Sequence, residues 1–268
     1  MEANKKIGFI GLGNMAAAMI GGMLQRGMIQ PENVIGSART AATCERMAEK
    51  YGITTYPSNV RVAEQADILF LAVKPQFFPE VIGEIRGSVR PETVIVSIAA
   101  GKTLEEIGRL FGGEKKLVRC MPNTPALVLE GCTGVCAGGG VSEAELAEIL
   151  DLLRCFGVAE TVPEQLMDTV VGVSGSSPAY VFMFLEAMAD GAVAAGMPRA
   201  QAYTFAAQAV LGSAKLMLET GRHPGELKDM VCSPGGTTIQ AVKVLEEKGL
   251  RAAVMDAMAA CIEKSKSL

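Results

Sequence analysis

The sequence has little of what metal-binding proteins need. Its single histidine, His223, lies far along the chain from Cys132 and Cys136, and the seven cysteines include no CxxC pair. An odd number of cysteines without metal-ligand spacing argues against a zinc site. We therefore expect reduced, mostly buried thiols in a cytoplasmic protein and no bound metal.

Long uninterrupted hydrophobic runs and an excess of positive charge are also absent. The longest nearly apolar segment, 178–196, is interrupted by Glu186 and Asp190, whereas a membrane span needs about 20 apolar residues. The formal net charge of −4 argues against a general nucleic-acid binder. No leader is expected, because residues 1–6 pass directly into a strand-like run. These features predict a soluble protein with neither membrane nor nucleic-acid partners.

Residues 1–163 alternate short apolar runs with amphipathic segments. Buried strands separated by helices are typical of a parallel, doubly wound sheet, so an N-terminal Rossmann-like α/β domain is predicted here. The expected strands are 6–10, 34–37, 68–73, 94–98, 116–120, 133–137 and 158–162. The expected helices are 15–26, 41–51, 103–111 and 143–154.

Residues 164–268 differ in character, because strand-like runs vanish and alanine, methionine and leucine recur at helical spacing. Gly196, Gly221 and Gly249 are expected to mark helix C-termini. An all-helical domain so rich in alanine and methionine favours dimerisation, with an ordinary monomeric bundle as the alternative. The expected helices are 164–173, 177–195, 199–220, 225–231, 237–248 and 250–264.

A dinucleotide fingerprint lies near the N-terminus. The glycines Gly11 and Gly13 and the small residue Ala16 form a G-x-G-x-x-A pattern directly after a strand-like run and before a helix. Gly11 permits the tight turn, Gly13 lets a pyrophosphate approach the backbone, and Ala16 keeps the helix close to the strand. The pattern predicts nucleotide binding.

No acidic residue follows the second strand, which continues as Ser37-Ala38-Arg39-Thr40. A carboxylate there would bind the ribose hydroxyls of NAD and repel a 2′-phosphate, whereas Ser37, Arg39 and Thr40 can receive one. NADPH is therefore the predicted cofactor, with NADH as the alternative. The alternative interpretation of Arg39 is a solvated surface residue without a ligand. Lys74 either contacts the cofactor or merely ends a strand.

Residues 232–241 predict a site for a small anion. Ser233 is expected as the N-cap of a helix and Pro234 as its first residue. The two glycines that follow leave the first amides uncovered, and a helix N-terminus attracts a carboxylate. Thr237 and Thr238 add hydroxyls that can donate to a reacting group. An anion site together with a nicotinamide site predicts a reductase of a small carboxylate.

Taken together, these segments resemble the pyrroline-5-carboxylate reductase family along essentially the whole chain. The shared motifs are GLGNM at 11–15, AVKP at 72–75, CMPNTP at 120–125, GVSGSSPAY at 172–180, HPGELKD at 223–229 and SPGGTT at 233–238. The resemblance implies a Rossmann-like domain over 1–163 and an all-α substrate and dimerisation domain over 164–268. It implies reduction of 1-pyrroline-5-carboxylate to L-proline by hydride from NADPH or NADH, the last step of proline synthesis. It also implies dimers that associate further into decamers.

The resemblance also implies roles for particular residues. The cofactor-binding residues would be Ile10, Gly11, Leu12, Gly13, Asn14, Met15, Ser37, Arg39, Thr40, Asn59, Ala72, Val73, Lys74, Pro75, Ile98, Ala99 and Ala100. The substrate-binding residues would be Glu164, Ser233, Gly236, Thr237 and Thr238. Thr238 would be the catalytic residue, donating a hydrogen bond to the ring nitrogen. The chain departs from the family pattern at Gly221, Met230 and Thr237.

Two alternatives fit part of the sequence. A 3-hydroxyacid dehydrogenase shares the GLGNM motif but needs a lysine after a glycine-rich turn, where residues 176–180 read SSPAY and no lysine follows until Lys215. A non-catalytic NADP-binding regulator would keep the turn at 11–16 but would have no use for the anion site. His223 precedes a Pro-Gly pair, so we expect it to shape a turn rather than act as a base.

Overall fold

One eight-stranded sheet dominates the computed structural model, which describes residues 5–267. Its strands are β1 (Ile7–Ile10), β2 (Val34–Ser37), β3 (Thr54–Tyr56), β4 (Ile68–Leu71), β5 (Val94–Ser97), β6 (Lys116–Met121), β7 (Gly131–Ala137) and β8 (Gly157–Thr161). Their order across the sheet is β3-β2-β1-β4-β5-β6-β7-β8. Neighbours are parallel except for the antiparallel pair β6 and β7. Residues 1–4, on which the expectation of no leader partly depends, lie outside the described part.

Helices cover both faces of this sheet, and alternate strand residues enter two apolar cores. Phe9 and Phe70 stack in one core with ring centroids 4.7 Å apart, whereas Ile10 enters the other. The helices are α1 (Asn14–Gln25), α2 (Ala41–Tyr51), α3 (Asn59–Gln65), α4 (Phe78–Ile85), α5 (Leu104–Phe111) and α6 (Glu143–Leu153). The predicted doubly wound α/β architecture is confirmed.

Three short elements and the direction of two strands differ from the sequence-based expectations. β3 and α3 hold only three and seven residues and give weak periodic signals, whereas α4 was missed although its buried residues have helical spacing. The sheet was expected to be parallel throughout, yet β7 and β8 run antiparallel to the other six strands. The connection from Met121 to Gly131 is too short for the crossover that a parallel pair requires.

The predicted helix over 164–173 is a composite of three kinds of turn. A 3₁₀ turn leads into one α-helical turn, α7 (Met167–Val170), and then into a π-helical turn, Val171–Gly175. The N–H of Ser176 donates to the Val171 carbonyl at 2.8 Å, five residues back. Short π-helical turns are often found at functional sites.

The chain forms two compact units that divide after Ser176, and the residues from Cys261 onward return to the first unit. This division lies later than the expected boundary between residues 163 and 164. Ser265 Oγ donates to Asp168 Oδ1 at 2.6 Å, and Cys261 Sγ lies 3.2 Å from Ser176 Oγ. These contacts fasten the C-terminal turns to the segment that follows β8.

The second unit is entirely helical. Its helices are α8 (Ser177–Ala194), α9 (Arg199–Thr220), α10 (Pro224–Val231), α11 (Thr237–Glu247) and α12 (Leu250–Lys266), whose last turns belong to the first unit. Gly221 ends α9 with φ +62°, the left-handed conformation expected of a glycine at a helix C-terminus. His223 Nδ1 accepts the N–H of Gly225 at 3.1 Å and so caps α10.

Large apolar side chains on α8 and α9 are exposed in the single chain. Phe182, Met183 and Phe205 are 64%, 70% and 66% exposed. An isolated unit would leave this apolar surface in water, so it is suited to burial against another subunit. Within residues 5–267 the stretch Glu164–Ala194 is long and apolar enough to cross a membrane by length and composition. One such helix is weak evidence for a span, because helices of soluble proteins pass the same test.

Candidate functional site

The turn between β1 and α1 leaves backbone amides uncovered. Gly11 has φ +95°, and a Cβ at this position would lie 2.6 Å from the Ala72 carbonyl oxygen, so the turn requires glycine. Gly13 is the N-cap of α1 with φ −79°, and a Cβ built there meets no atom within 4 Å. The first turn of α1 holds no acidic residue. Its free N–H groups and helix dipole therefore suit a pyrophosphate.

The predicted cofactor residues of the first unit meet at one edge of the sheet. Strand order reverses between β1 and β4, and ligands of such sheets bind at the carboxyl ends of the strands beside this reversal. Residues 72–75 follow β4 and residues 98–100 follow β5 at the same edge. The N–H of Ala72 donates to the Ile10 carbonyl at 2.8 Å, which holds the β4 loop against the β1 turn.

Lys74 is exposed just beyond β4. Its carbonyl accepts the N–H of Phe77 at 3.0 Å and so starts a short 3₁₀ turn, Pro75–Phe77. The side chain projects from a rigid turn rather than from a loose loop. A cofactor contact for Lys74 stays a prediction.

The residues that follow β2 divide into one buried side chain and two exposed ones. Ser37 is 0% exposed, and its Oγ donates to Asn59 Oδ1 at 2.7 Å. The guanidinium of Arg39 is exposed and lies 5.7 Å from the centre of the Phe77 ring. Thr40 is the exposed N-cap of α2. Arg39 and Thr40 can therefore reach a phosphate, whereas Ser37 supports the position of Asn59.

In the second unit, Ser233 and Pro234 of the predicted anion site form a turn and not the start of a helix. The Ser233 carbonyl accepts the N–H of Gly236 at 3.0 Å, and Gly235 has φ +69°, so residues 233–236 form a tight β-turn. Helix α11 begins at Thr237 with Gly236 as its N-cap. The expectation that Ser233 is the N-cap and Pro234 the first helical residue is wrong, because the proline occupies the second position of this turn.

The start of α11 keeps the properties that an anion site needs. Gly236 makes no side-chain cap, and the first turn of α11 contains no acidic residue. The first N–H groups of a helix have no partner within the helix, so the amides of Thr237 and Thr238 are free of intrahelical bonds. A side chain at Gly236 would overlap Ser233 Oγ, so the serine hydroxyl lies directly beside this helix start.

Glu164 lies in the first unit and already has partners there. Its Oε1 accepts the N–H of Leu104, the first residue of α5, at 2.7 Å and lies 3.3 Å from the buried Arg119 guanidinium. Arg119 is 4% exposed and also faces Asp168 at 4.0 Å. These contacts give Glu164 a structural role. Its role in substrate binding stays a prediction.

Sequence reasoning assigned no role to several residues that shape the sheet edge. Asn123 is buried; its Nδ2 donates to the Ser174 carbonyl at 3.0 Å and its Oδ1 accepts the N–H of Cys132 at 2.8 Å. It thereby joins the loop after β6 to the π-helical turn, and the CMPNTP motif was the signal for it. Glu84, which accepts a hydrogen bond from Asn59, carries no sequence signal because the two residues lie on different helices.

Two cysteines of the sheet, Cys120 and Cys136, are not reactive thiolates. Burial raises the pKa of Cys136 to about 11, and burial likewise raises the pKa of Cys120. Both thiols are therefore protonated at neutral pH. In residues 5–267, groups of three or more His, Cys, Asp or Glu side chains arranged to hold a metal are absent.

The doubly wound sheet with its open Gly11–Gly13 turn defines a dinucleotide-binding oxidoreductase of the Rossmann class. Residues 164–268 match the family model of pyrroline-5-carboxylate reductase dimerisation, and residues 6–101 match that of NADP oxidoreductase, coenzyme F420-dependent. The pyrroline-5-carboxylate reductase of Escherichia coli strain K12 is 54% identical over 264 residues, which cover 98% of each chain.

Solved structures of similar proteins superpose on nearly the whole chain. A pyrroline-5-carboxylate reductase from Coxiella burnetii superposes with a TM-score of 0.92 at 34% identity, over 98% of both chains. The Plasmodium falciparum pyrroline carboxylate reductase, solved with NADP bound, gives a TM-score of 0.89 at 30% identity, over 99% of this chain and 98% of that one. The chain belongs to the pyrroline-5-carboxylate reductase family. Its predicted family, fold class and enzyme class are thereby confirmed, against the dehydrogenase and regulator alternatives.

Proposed function

We propose that the protein reduces the C=N bond of 1-pyrroline-5-carboxylate with NADPH to give L-proline, the last step of proline biosynthesis, in the cytoplasm. The observation that carries the proposal is the uncapped start of α11 beside Ser233. A helix start free of acidic residues suits a carboxylate. Family membership supplies the substrate whose carboxylate would lie there.

The first unit fits a nicotinamide dinucleotide. The open space at Gly13 and the uncapped start of α1 suit the pyrophosphate, and the exposed Arg39 and Thr40 suit a 2′-phosphate. The other predicted contacts, Asn59, residues 72–75 and residues 98–100, lie around the same sheet edge. The NADP-bound relative from Plasmodium falciparum supports NADPH as the cofactor.

In the second unit, we assign the substrate carboxylate to Ser233 Oγ and to the amides of Thr237 and Thr238. The Gly236 amide, which the resemblance also implies, already donates to the Ser233 carbonyl. The positive end of the α11 dipole strengthens the binding of the carboxylate. The Thr238 hydroxyl would donate to the ring nitrogen, which fixes the orientation of the C=N bond. Glu164 is retained as a further substrate residue on the strength of the family resemblance.

The turn from Gly11 to Gly13 and the residues after β2 would hold NADPH, which would supply a hydride to the imine carbon while the C=N π electrons become the lone pair of the ring nitrogen. A protonated imine accepts hydride readily, so the chain needs no strong acid. Its residues act by orientation: the helix start holds the carboxylate while Thr238 holds the nitrogen and stabilises the amine that forms. His223 is not needed as a base, in keeping with its place as the cap of α10.

The experiment is steady-state NADPH oxidation with 1-pyrroline-5-carboxylate by wild type, Thr238→Ala and Thr238→Ser. We expect Thr238→Ala to lower kcat about tenfold to a hundredfold, as loss of one preorganised donor does, with partial recovery in Thr238→Ser. The KM for NADPH should be unchanged. Thr204→Ala is the matched control, because the Thr204 hydroxyl only bonds the Ala200 carbonyl within α9. Wild-type turnover by Thr238→Ala would refute the assignment.

Self-association follows from the dimerisation family model over residues 164–268. We propose that the exposed apolar faces of α8 and α9 form the dimer interface, and that dimers assemble further into decamers. The apolar stretch Glu164–Ala194 then serves subunit packing rather than membrane insertion. Sedimentation of the intact protein without detergent tests both statements.

A further inference from the structure

The fold brings a carboxylate to the end of β2, where the sequence places no acidic residue. Asn59 Nδ2 donates to Glu84 Oε2 at 2.7 Å, and Asn59 Oδ1 accepts from Ser37 Oγ at 2.7 Å. Ser37 is the last residue of β2, Asn59 the first of α3, and Glu84 lies near the end of α4. One chain of hydrogen bonds therefore connects three elements at this edge.

Glu84 determines the direction of both hydrogen bonds. A serine hydroxyl can donate or accept, and an amide group can be turned to present either end. An ionised carboxylate can only accept. The Asn59 amide must therefore turn its NH₂ group toward Glu84 and its carbonyl toward Ser37. The second N–H of Asn59 then lies beside a full negative charge.

This charge lies on the side of the sheet where the adenosine ribose is expected. In NAD-specific Rossmann enzymes an acidic residue near the end of β2 accepts the ribose hydroxyls and disfavours a 2′-phosphate. In this chain Glu84 reaches the region from α4, through Asn59, while the exposed Arg39 and Thr40 favour a phosphate. The two influences oppose each other.

We propose that Glu84 is a specificity-determining residue that acts through Asn59 to weaken the binding of NADPH relative to NADH, so that the enzyme accepts both cofactors. The proposal rests on the dinucleotide site proposed above. A full charge within a Debye length of a phosphate changes binding by roughly three- to tenfold in water-like surroundings. That range is the expected size of the effect.

Calorimetric titration of NADP⁺ and NAD⁺ into the intact protein provides a test that does not depend on catalysis. Glu84→Gln removes the charge but keeps an acceptor for Asn59. We expect it to raise the ratio of NADP⁺ to NAD⁺ affinity by about three- to tenfold. Glu84→Ala should raise the same ratio while weakening both nucleotides, because Asn59 loses its orientation. Arg39→Ala should lower the ratio.

Glu143→Gln is the matched control. Glu143 is also exposed, but it lies on α6, which packs against β7 and β8, several strands away from β2, so removal of its charge should leave the ratio close to that of the wild type. An unchanged ratio in Glu84→Gln, or an equal weakening of both nucleotides in the two Glu84 variants, would overturn the proposal and leave Glu84 as a structural link. A wild type that binds both nucleotides but does not reduce 1-pyrroline-5-carboxylate would instead refute the proposed reaction.

Discussion

Two glycines of the same turn should respond in opposite ways to alanine. At Gly13 the backbone has φ −79°, which alanine adopts freely, and the new methyl group enters open space. Alanine is a poorer N-cap than glycine, but it also lowers the entropy of the unfolded chain. We therefore expect Gly13→Ala to change the free energy of unfolding by less than about 1 kcal/mol.

The effect of Gly13→Ala on the dinucleotide should be large. The methyl group would occupy the space through which a pyrophosphate reaches the first amides of α1. Each hydrogen bond to a charged group contributes about 1.5–3 kcal/mol, so loss of one such bond weakens NADP⁺ binding by about 10- to 100-fold. A stable protein with weak nucleotide binding is the expected result.

Gly11→Ala should instead destabilise the fold. The residue has φ +95°, outside the regions that alanine favours, and the added Cβ would lie 2.6 Å from the Ala72 carbonyl oxygen. Backbone strain of this kind costs about 1–3 kcal/mol before the overlap is relieved. We expect a Tm lower by at least about 5 °C.

Thermal unfolding and NADP⁺ titration of both variants separate the two effects. If Gly13→Ala binds NADP⁺ as tightly as the wild type, the pyrophosphate does not approach this backbone and the assignment of the turn is refuted. If Gly11→Ala unfolds at the wild-type temperature, the close contact with Ala72 does not constrain the turn.

Two further predictions concern stability and assembly. A hydrogen bond from Lys116, followed by bonds from Ser142, lowers the pKa of Glu145 to about 2 from its ordinary 4.5. The stability that ionised Glu145 contributes is therefore present above about pH 4.5 and is lost as the pH falls toward 2. With the Glu145 side chain 23% exposed, Glu145→Gln should lower the free energy of unfolding in urea by about 1–2 kcal/mol at pH 7 and by little at pH 2. An equal loss at both pH values would contradict the assignment. Phe182→Glu should raise the dimer dissociation constant at least about tenfold in sedimentation, because it introduces a charge into an apolar interface. The control Gln25→Glu, at an exposed position of α1 in the first unit, should not; an unchanged assembly in Phe182→Glu would exclude Phe182 from the interface.

The sequence alone predicted those elements whose structure one local rule determines. The strand–glycine–helix pattern at 7–25 predicted the dinucleotide turn, and the helical spacing after residue 176 predicted α8 to α12 within a few residues. The missed elements β3 and α3 are short, and tertiary packing rather than periodicity stabilises them. Helix α4 was missed although its buried residues have helical spacing. The antiparallel β7 depends on the length of one connection, which the hydrophobic pattern does not reveal.

Contacts between distant residues explain what could not be predicted at the candidate site. Sequence analysis treated Ser37 as a phosphate ligand, but its hydroxyl is buried because Asn59 lies against it. Ser233 and Pro234 were wrongly assigned to a helix start because Ser-Pro satisfies the local rules for a helix start equally well as those for a β-turn, although the helical spacing correctly began that helix at Thr237. The left-handed φ of Gly235 decides between them, and no composition rule supplies that angle.

The two helix starts assigned to ligands share a glycine N-cap. Four helices of the first unit begin with a side-chain oxygen that accepts a backbone N–H of the first turn, from Thr40, Ser58, Thr103 and Ser142. Helices α1 and α11 begin instead with Gly13 and Gly236, which supply no such oxygen. A helix whose own sequence satisfies its first amides has nothing left to bind an anion, whereas a glycine N-cap leaves those amides for a ligand. The same local feature supports both proposed anion sites, the pyrophosphate at α1 and the carboxylate at α11.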